Sequence, residues 1–345
     1  MYKEQLALRI WIGLLGSIVV AGIYFWWAKI QFGNPTITKY TTKELNKTVD
    51  TLAVISGDIF ISPGSLDMFQ SIIGKAKQIL WLQTYEFTEK KIKQQFKELL
   101  DKNIEVKLIM ENQKFQQFQN TFKQIQNLFA WYRNFQIKSD SQMHTKYVHS
   151  KIAIIDSGFL IQTANLTHSS FFTNREYFFW STDTGVLMSL RTIFQKDREG
   201  KPLLKTDIHP NLVVCNINCR SVIEYLIQSA TGSITIQNQY IDDLHIQWLL
   251  KQKIKELWAK NIQIQLPTTD KNKNTQHLLW TASVHLFSKP YLHAKMLLID
   301  NRILLLWSMN LSANSLDNNR EIWILLNNPL LIERFVHQFQ QDANN

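Results

Sequence analysis

The chain has 345 residues, 45% hydrophobic and 12% aromatic, enough to bury one large domain or two of ordinary size. This composition argues against a disordered chain. Charged residues make up 19%, and Lys and Arg outnumber Asp and Glu by 38 to 28, which gives a net charge of +10. The positive excess favours an anionic partner, whether a phospholipid headgroup, a membrane surface or a nucleic acid.

The first predicted element is an apolar segment near the N-terminus. Residues 10–27 carry no charge and as a helix would be about 27 Å long, close to the thickness of the hydrocarbon core of a bilayer. Trp11 lies near one end and Trp26 and Trp27 at the other, where aromatic rings favour the membrane interface. The run is longer than the apolar core of a signal peptide, and no small-x-small cleavage site follows it. We therefore expect residues 1–47 to form a retained anchor and stalk in the cell membrane.

The side of the membrane on which the rest of the chain lies stays open. Basic residues flank the apolar segment on both sides, with Lys3 and Arg9 before it and Lys29 and Lys39 after it. A bias of Lys and Arg towards one flank is what sets orientation. The chain is therefore predicted to be single-pass, with its orientation undetermined.

An internal repeat fills the remainder of the chain. Residues 79–110 and 234–266 both read as a strand, an amphipathic helix and a second strand. The segment HSKIAIID at 149–156 matches HAKMLLID at 293–300 with an offset of 144. After one extra residue the offset becomes 145 and relates four further pairs, Asn165 and Asn310, Glu176 and Glu321, Phe194 and Phe339, Asp197 and Asp342. Chance similarity does not keep register over such a length.

The repeat predicts an α/β fold in two similar sandwich-like halves, each a mixed β-sheet flanked by helices and related by a pseudo-twofold. We place the halves at residues 48–202 and 203–345, with the Gly- and Pro-containing segment 200–210 as linker. The first half carries an insert with an apolar stripe at helical spacing, Phe115, Phe118, Phe122, Ile125 and Phe129. Such a stripe predicts a helix packed on the body, with contact to a membrane surface as the alternative.

Only two cysteines are present, Cys215 and Cys219. Two are too few for a disulfide framework, and they lack the second pair or the histidine spacing of a zinc site. We expect both to pack as small apolar residues in or beside a strand.

Each repeated motif places a histidine and a lysine on the same face of a strand. Side chains two residues apart in a strand project to one side, so His149 accompanies Lys151, and His293 accompanies Lys295. An imidazole and an ammonium then share one pocket. The aspartates that complete the motifs, Asp156 and Asp300, lie an odd number of residues away and would project from the other face of the strand. We count them with the catalytic set but favour an orienting or ion-pairing role over direct chemistry.

Polar residues follow both motifs in the same order. Asn165 and Asn310 come after a short apolar strand and supply neutral donors suited to phosphate oxygens. Glu176 and Glu321 follow, and a carboxylate there can bond the second ring nitrogen of a catalytic histidine and fix its tautomer. The sequence thus predicts two half-sites of the same chemistry.

At this point the chain resembles the phospholipase D superfamily, whose hallmark is HxKxxxxD followed by Ser/Thr-x-Asn and a later Glu. Both copies match: His149, Lys151, Asp156, Thr163, Asn165 and Glu176, then His293, Lys295, Asp300, Ser308, Asn310 and Glu321. The resemblance implies that Thr163 and Ser308 join the asparagines in binding phosphate. The chain departs from the pattern before these two residues, where Gln162 and Trp307 replace the usual Gly. The layout looks most like bacterial phospholipases D and cardiolipin synthases.

The resemblance also implies a mechanism. One histidine attacks phosphorus to give a covalent phosphohistidine, and the other acts as general acid and then general base. By family analogy we assign His149 as nucleophile and His293 as acid and base, although the pseudo-symmetry also permits the reverse. No metal or cofactor is expected, because no acidic cluster stands beside either motif. Since one chain carries both motifs, no dimer is required.

We therefore expect a membrane-anchored phosphodiesterase of phospholipase D type that cleaves or transfers the phosphatidyl group of phospholipids. The alternative is a metal-independent nuclease of the same superfamily, for which the charge of +10 would suit a nucleic acid partner. The lysines are scattered along the chain, as on solvated helix faces, and do not form one stripe. A non-catalytic binding protein is disfavoured, because every catalytic position is present in both copies.

Overall fold

The computed structural model describes residues 40–143, 145–258, 261–280 and 282–343. The predicted membrane span at 10–27 lies outside these residues. Within the described ranges, no helix is both long enough and apolar enough to cross a bilayer.

Strands of the first half form one mixed sheet in the order β1-β7-β6-β5-β2-β3-β4. Their bounds are β1 Asp58–Ser62, β2 Ile79–Thr84, β3 Glu105–Met110, β4 Phe135–Ser139, β5 Ile152–Ile155, β6 Gly158–Gln162 and β7 Asn174–Ser181. Strands β2, β3 and β4 are parallel, and β5 joins β2 in antiparallel fashion. The sheet is therefore mixed, as the strand, helix, strand repeat predicts.

The second half repeats this sheet in the order β8-β15-β14-β13-β9-β10-β11. Its strands are β8 Leu212–Val214, β9 Ile234–Gln237, β10 Ile262–Pro267, β11 Ser283–Phe287, β13 Met296–Ile299, β14 Ile303–Leu306 and β15 Ile322–Leu326. A short strand from the same half, β12 Tyr291–Leu292, pairs instead with β7 of the first sheet. The two halves thus share one strand order and are joined by main-chain hydrogen bonds.

Helices cover the sheets. In chain order they are α1 Thr42–Asp50, α2 Leu66–Ile73, α3 Lys90–Asp101, α4 Gln116–Leu128, α5 His168–Phe172, α6 Thr184–Glu199, α7 Cys219–Ser229, α8 Leu244–Leu257, α9 Asp270–Leu278, α10 Ala313–Asp317 and α11 Pro329–Ala343. Helix α6 ends at Gly200, whose φ of +65° is a left-handed conformation that glycine adopts without strain. The predicted boundary between the halves falls in the segment between α6 and β8.

The central core lies between the two sheets, with α6 and α11 packed into it. Alternation along each strand explains this arrangement. In β5, Ile152 and Ile154 face the central core, whereas Ala153 and Ile155 face a second core under the outer helices. Strand β13 divides its side chains between the central core and a third core in the same way. Strands buried on both faces are apolar throughout, which is how these segments read in the sequence.

The helix predicted in the insert is α4. Phe118, Phe122 and Ile125 are buried, as packing on the body requires, while Phe115 lies just before the helix and remains 54% exposed. The cysteines differ from expectation. Cys215 and Cys219 are buried but joined by a disulfide, because the turn between β8 and α7 brings their Cα atoms to 4.6 Å.

Candidate active site

Each motif histidine lies on a segment that pairs with the opposite half. The main-chain N–H of His149, just before β5, donates to the carbonyl of Arg320 at 2.9 Å. The N–H of His293, between β12 and β13, donates to the carbonyl of Arg175 at 3.2 Å. The histidines therefore precede the regular strands, and the other half holds their main chain.

The imidazoles are held by crossed glutamates. His149 Nδ1 lies 2.9 Å from Glu321 Oε1, and His293 Nδ1 lies 2.6 Å from Glu176 Oε1. A neutral imidazole that donates its Nδ1–H to a carboxylate keeps a lone pair on Nε2. In His149 this nitrogen lies 3.2 Å from Lys151 Nζ. The structure therefore places these glutamates where the sequence predicts them, at the second ring nitrogen, but each comes from the other half.

The hydroxyls of Thr163 and Ser308 are committed to the glutamates. Thr163 Oγ1 donates to Glu176 Oε2 at 2.5 Å and accepts from the N–H of Tyr177 at 3.0 Å. Ser308 Oγ donates to Glu321 Oε2 at 2.5 Å. Both residues are fully buried. These two hydroxyls, which the resemblance leads us to expect at the phosphate, donate to the glutamates and orient them.

The two motif lysines are buried beside the histidines. Lys151 Nζ donates to the His149 carbonyl at 2.9 Å and lies 3.5 Å from the Ser308 carbonyl of the other half. Lys295 Nζ donates to the carbonyl of His293. Burial lowers the pKa of Lys151 to about 8 and that of Lys295 to about 7. An anion that shares the pocket would stabilise both ammonium groups.

Burial also sets the charge of the imidazoles. It lowers the pKa of His149 to about 4 and holds the pKa of His293 below its usual range. Burial alone would raise the pKa of Glu176 and Glu321, but the facing histidines and lysines outweigh it and lower the pKa of both carboxyls. At neutral pH the pocket thus holds neutral imidazoles and ionised glutamates. Each imidazole ring keeps about 15% exposure, so solvent reaches it.

The asparagines predicted to bind phosphate are partly buried. Asn310 Nδ2 donates to Gln239 Oε1 at 3.0 Å. The Oδ1 atoms of Asn165 and Asn310 are buried and, within the described residues, have no hydrogen-bond partner. The unused capacity at these oxygens is that of an acceptor, whereas the predicted contact to phosphate would use the Nδ2 donors.

Asp156 and Asp300 lie away from this chemistry. The Asp156 carboxylate accepts from the main-chain N–H groups of residues 77, 78 and 79 at 2.6 to 3.0 Å. Asp300 accepts in the same way from residues 231, 232 and 233. Each aspartate follows the far end of its central strand, opposite the histidine. These bonds fasten the start of the neighbouring parallel strand.

Sequence reasoning missed an aromatic group beside His149. The ring of Tyr85 lies edge-on to the imidazole of His149, with centroids 4.6 Å apart, and contacts Phe118 at 4.6 Å. Tyr85 follows β2, and Tyr240 follows the equivalent strand β9 and lies beside Asn310. The repeat of a tyrosine after corresponding strands was the available signal.

Large side chains are accommodated where the family pattern has glycine. Trp307 is fully buried, and its ring packs on Trp323 with centroids 5.6 Å apart. The side-chain amide of Gln162 is buried and donates to the Ala164 carbonyl at 3.2 Å. The next residues, Thr163 and Ser308, still reach their glutamates.

Two like sheets that meet at one pocket lined by two His-x-Lys segments define a protein of the phospholipase D superfamily. The chain belongs to the family described as "Cardiolipin synthase, PLD-like domain", whose model matches residues 69–198 and 223–343. The family predicted from the paired motifs is thereby confirmed. No curated protein sequence matches the chain.

Solved structures share the fold at low sequence identity. The phosphatidylserine synthase of Haemophilus influenzae Rd KW20 is 14% identical, with a TM-score of 0.64 over 88% of this chain and 90% of that protein. The polyphosphate kinase of Porphyromonas gingivalis is 13% identical, with a TM-score of 0.60 over 82% of this chain. The chain spans about half of that kinase, 49% of its length. These likenesses establish the fold.

Proposed function

We propose that the protein is a membrane-anchored phosphodiesterase of phospholipase D type, which cleaves or transfers the phosphatidyl group of phospholipids through a phosphohistidine. The observation that carries this proposal is the crossed pairing of His149 with Glu321 and of His293 with Glu176 around two buried lysines. Two oriented imidazoles and two ammonium groups are the set that phosphodiester exchange needs.

In the first step, Nε2 of His149 attacks phosphorus. A P–N bond forms while the P–O bond to the leaving alcohol breaks, and His293 gives its Nε2 proton to the alkoxide. Lys151 and Lys295 neutralise the phosphate oxygens, with the amides of Asn165 and Asn310 as further donors.

In the second step, the roles of His293 reverse. Its Nε2, now neutral, takes a proton from water or from a second alcohol, whose oxygen attacks phosphorus and breaks the P–N bond. Water yields phosphatidic acid, and an alcohol yields a new phosphodiester. Glu176 stabilises the imidazolium of His293 in each cycle, because its carboxylate stays ionised and bonded to Nδ1.

The charge of the pocket explains how the acid is supplied. Below about pH 7, the ammonium groups of Lys151 and Lys295 balance the carboxylates of Glu176 and Glu321 in the free protein, and both imidazoles are neutral. A bound phosphodiester adds one negative charge, which raises the pKa of the neighbouring imidazoles and favours the uptake of one proton. That proton is the one delivered to the leaving group.

A lipid substrate is supported by the surroundings of His149. Phe115, Phe118 and Tyr85 form a continuous aromatic series from the surface to the imidazole, with centroids 5.8, 4.6 and 4.6 Å apart. The ammonium of Lys114 lies 5.8 Å from the Tyr85 ring and 5.2 Å from the Phe115 ring, so this face offers aromatic surface to acyl groups and a positive charge to a lipid phosphate. The description of the family and the phosphatidylserine synthase fold point to the same substrate class. The anchor at residues 10–27 would keep the pocket near the bilayer.

The test incubates the full chain in detergent, without divalent metal, with phosphatidylcholine or phosphatidylglycerol plus a primary alcohol, and separately with single-stranded DNA. We expect phosphatidyl-alcohol and no DNA cleavage. A variant that lacks both pocket ammonium groups, Lys151→Gln/Lys295→Gln, is the control and should form no product. DNA cleavage without lipid turnover would replace this proposal with the nuclease alternative.

A further inference from the structure

Two buried arginine–aspartate pairs lie directly behind the glutamates of the pocket. The guanidinium of Arg175 bonds Asp342 through two nitrogens, at 2.7 and 2.9 Å. Arg320 Nε bonds Asp197 at 3.1 Å. Arg175 precedes Glu176 and Arg320 precedes Glu321, so the pairs are repeat equivalents at an offset of 145. Each pair joins one half of the protein to the other.

Each arginine bonds the main chain of one motif histidine and directly precedes the glutamate that pairs with that histidine. Its carbonyl accepts the main-chain N–H of the crossed histidine, His149 for Arg320 and His293 for Arg175. The guanidinium of Arg175 also donates to the Ser62 carbonyl, at 2.6 Å, and Ser62 stands opposite Glu176 in the sheet. Arg175 therefore connects the strand that carries Glu176 with the segment that carries His293.

Arg320 makes the equivalent contact in the second half. Its Nη1 donates to the Cys215 carbonyl at 3.2 Å, and the N–H of Cys215 donates to the carbonyl of Glu321 at 3.0 Å. The same three fastenings, to aspartate, to the neighbouring strand and to the crossed histidine, thus occur on both sides of the pocket.

Among the residues that the structure describes, the network closes into a ring around His149 but not around His293. Ser150 Oγ donates to Gln83 Oε1 at 2.5 Å, and Gln83 Nε2 donates to Asp197 at 2.8 Å. The second half keeps Gln237, which donates to Asp342 at 3.2 Å, but Ala294 stands where the first half has Ser150. The segment of His149 is therefore connected to Asp197 by one hydrogen bond, that of Ser150, which the segment of His293 does not make to Asp342.

A buried ion pair is weak support for stability, because desolvation offsets most of its attraction. Its value here is geometric, since a catalytic pair must be held to about 0.5 Å. We propose that Arg320–Asp197 positions His149 against Glu321 and that Arg175–Asp342 positions His293 against Glu176. The four residues act through the imidazoles and touch no substrate. The inference rests on the proposed function only for the roles of the histidines.

The test measures the reactivity of each imidazole in the full chain, without substrate. Diethyl pyrocarbonate modifies neutral imidazole, and peptide mass mapping follows His149 and His293 separately. In Arg320→Lys we expect the rate of modification of His149 to change by about fivefold, the size of effect typical of residues in contact. The rate at His293 should not change. Arg175→Lys should show the converse. Asp197→Asn and Asp342→Asn should reproduce the pattern of their partner arginines.

Ser150→Ala is the mild second variant, because it gives the first half the residue that the second half already has. It should change the modification rate of His149 in the same direction as Arg320→Lys, but by less, and leave the rate at His293 unchanged. The inference would be overturned if a variant changed the modification rates of both histidines equally or changed neither. It would also be overturned if an Arg320 variant changed only His293, or an Arg175 variant only His149. Labelling needs no turnover, so a selective pattern in a chain that fails to process lipid would sink the proposed function and leave this inference standing.

Discussion

At the scale of single residues, the pocket is defined by what burial does to its lysines. Lys151 and Lys295 are completely buried, and their pKa values fall to about 8 and about 7. A lysine with a lowered pKa is charged below that value and loses its charge as the pH rises through it. The positive charge that the pocket offers to phosphate is therefore lost between about pH 7 and 8, far below the usual value of about 10.4.

This loss predicts how anion binding depends on pH. Sulfate is a suitable probe, because its own charge is constant from pH 6 to 9. Its dissociation constant should rise about tenfold or more above pH 7, as each lost ammonium removes a charge-assisted hydrogen bond. Calorimetric titration measures it. Lys255→Gln, on the exposed face of α8, is the matched control and should show the same rise of the dissociation constant above pH 7. An affinity that stayed constant to pH 9 would show that these lysines do not hold the anion.

Several residue roles could be read from the sequence, and others could not. His149 and Lys151 lie side by side, as their spacing of two predicts, although both precede the regular strand β5. The partner of His149 was not predictable, since an offset of 145 relates equivalent residues but does not say which half supplies the glutamate. The bond from Thr163 to Glu176 could not be read from the sequence either, since the resemblance implies only a phosphate-binding role for Thr163.

At the scale of elements, the far ends of the central strands are fastened by aspartates. Asp300 accepts from three consecutive main-chain N–H groups, which are otherwise free at the start of β9. Those bonds lower the pKa of Asp300 although burial opposes them. Asp156 likewise accepts from three consecutive main-chain N–H groups at the start of β2. These contacts set the register between each motif strand and its parallel neighbour.

Asp300→Asn should therefore cost stability and spare chemistry. Asparagine tolerates the φ of +53° at this position but loses the charge that strengthens the bonds. We expect a loss of about 1–2 kcal/mol in the free energy of unfolding, the range for hydrogen bonds to a charged group at a partly exposed site. Thermal unfolding measures the loss, and turnover below the transition should stay near wild type. A variant of unchanged stability without turnover would favour a catalytic role for Asp300.

Elements were predicted well where periodicity is strong. The stripe from Phe118 to Phe129 places α4 correctly, because spacings of three and four leave no strand alternative. Strand β12 was not foreseen, since two residues before His293 carry no pattern of their own. Only the opposite half, through β7, makes them a strand.

At the scale of the whole molecule, the duplication is what makes the site. Each half supplies one histidine, one lysine and one glutamate, and neither half completes a His–Glu pair alone. The two sheets have the same strand order, and the central core between them belongs to both. The repeat register predicted the two sheets, whereas the crossing of partners follows from how the halves face each other, which no spacing encodes.

The most direct measurement is the turnover of His149→Ala and His293→Ala on phosphatidylcholine with a primary alcohol. His245, on the exposed side of α8, supplies the matched control, His245→Ala. We predict that each pocket variant loses turnover by about a thousandfold or more, as expected when a nucleophile or its acid is removed, and that the control keeps wild-type activity. Near wild-type turnover in either pocket variant would mean that phosphoryl exchange does not pass through a pair of histidines shared by the two halves.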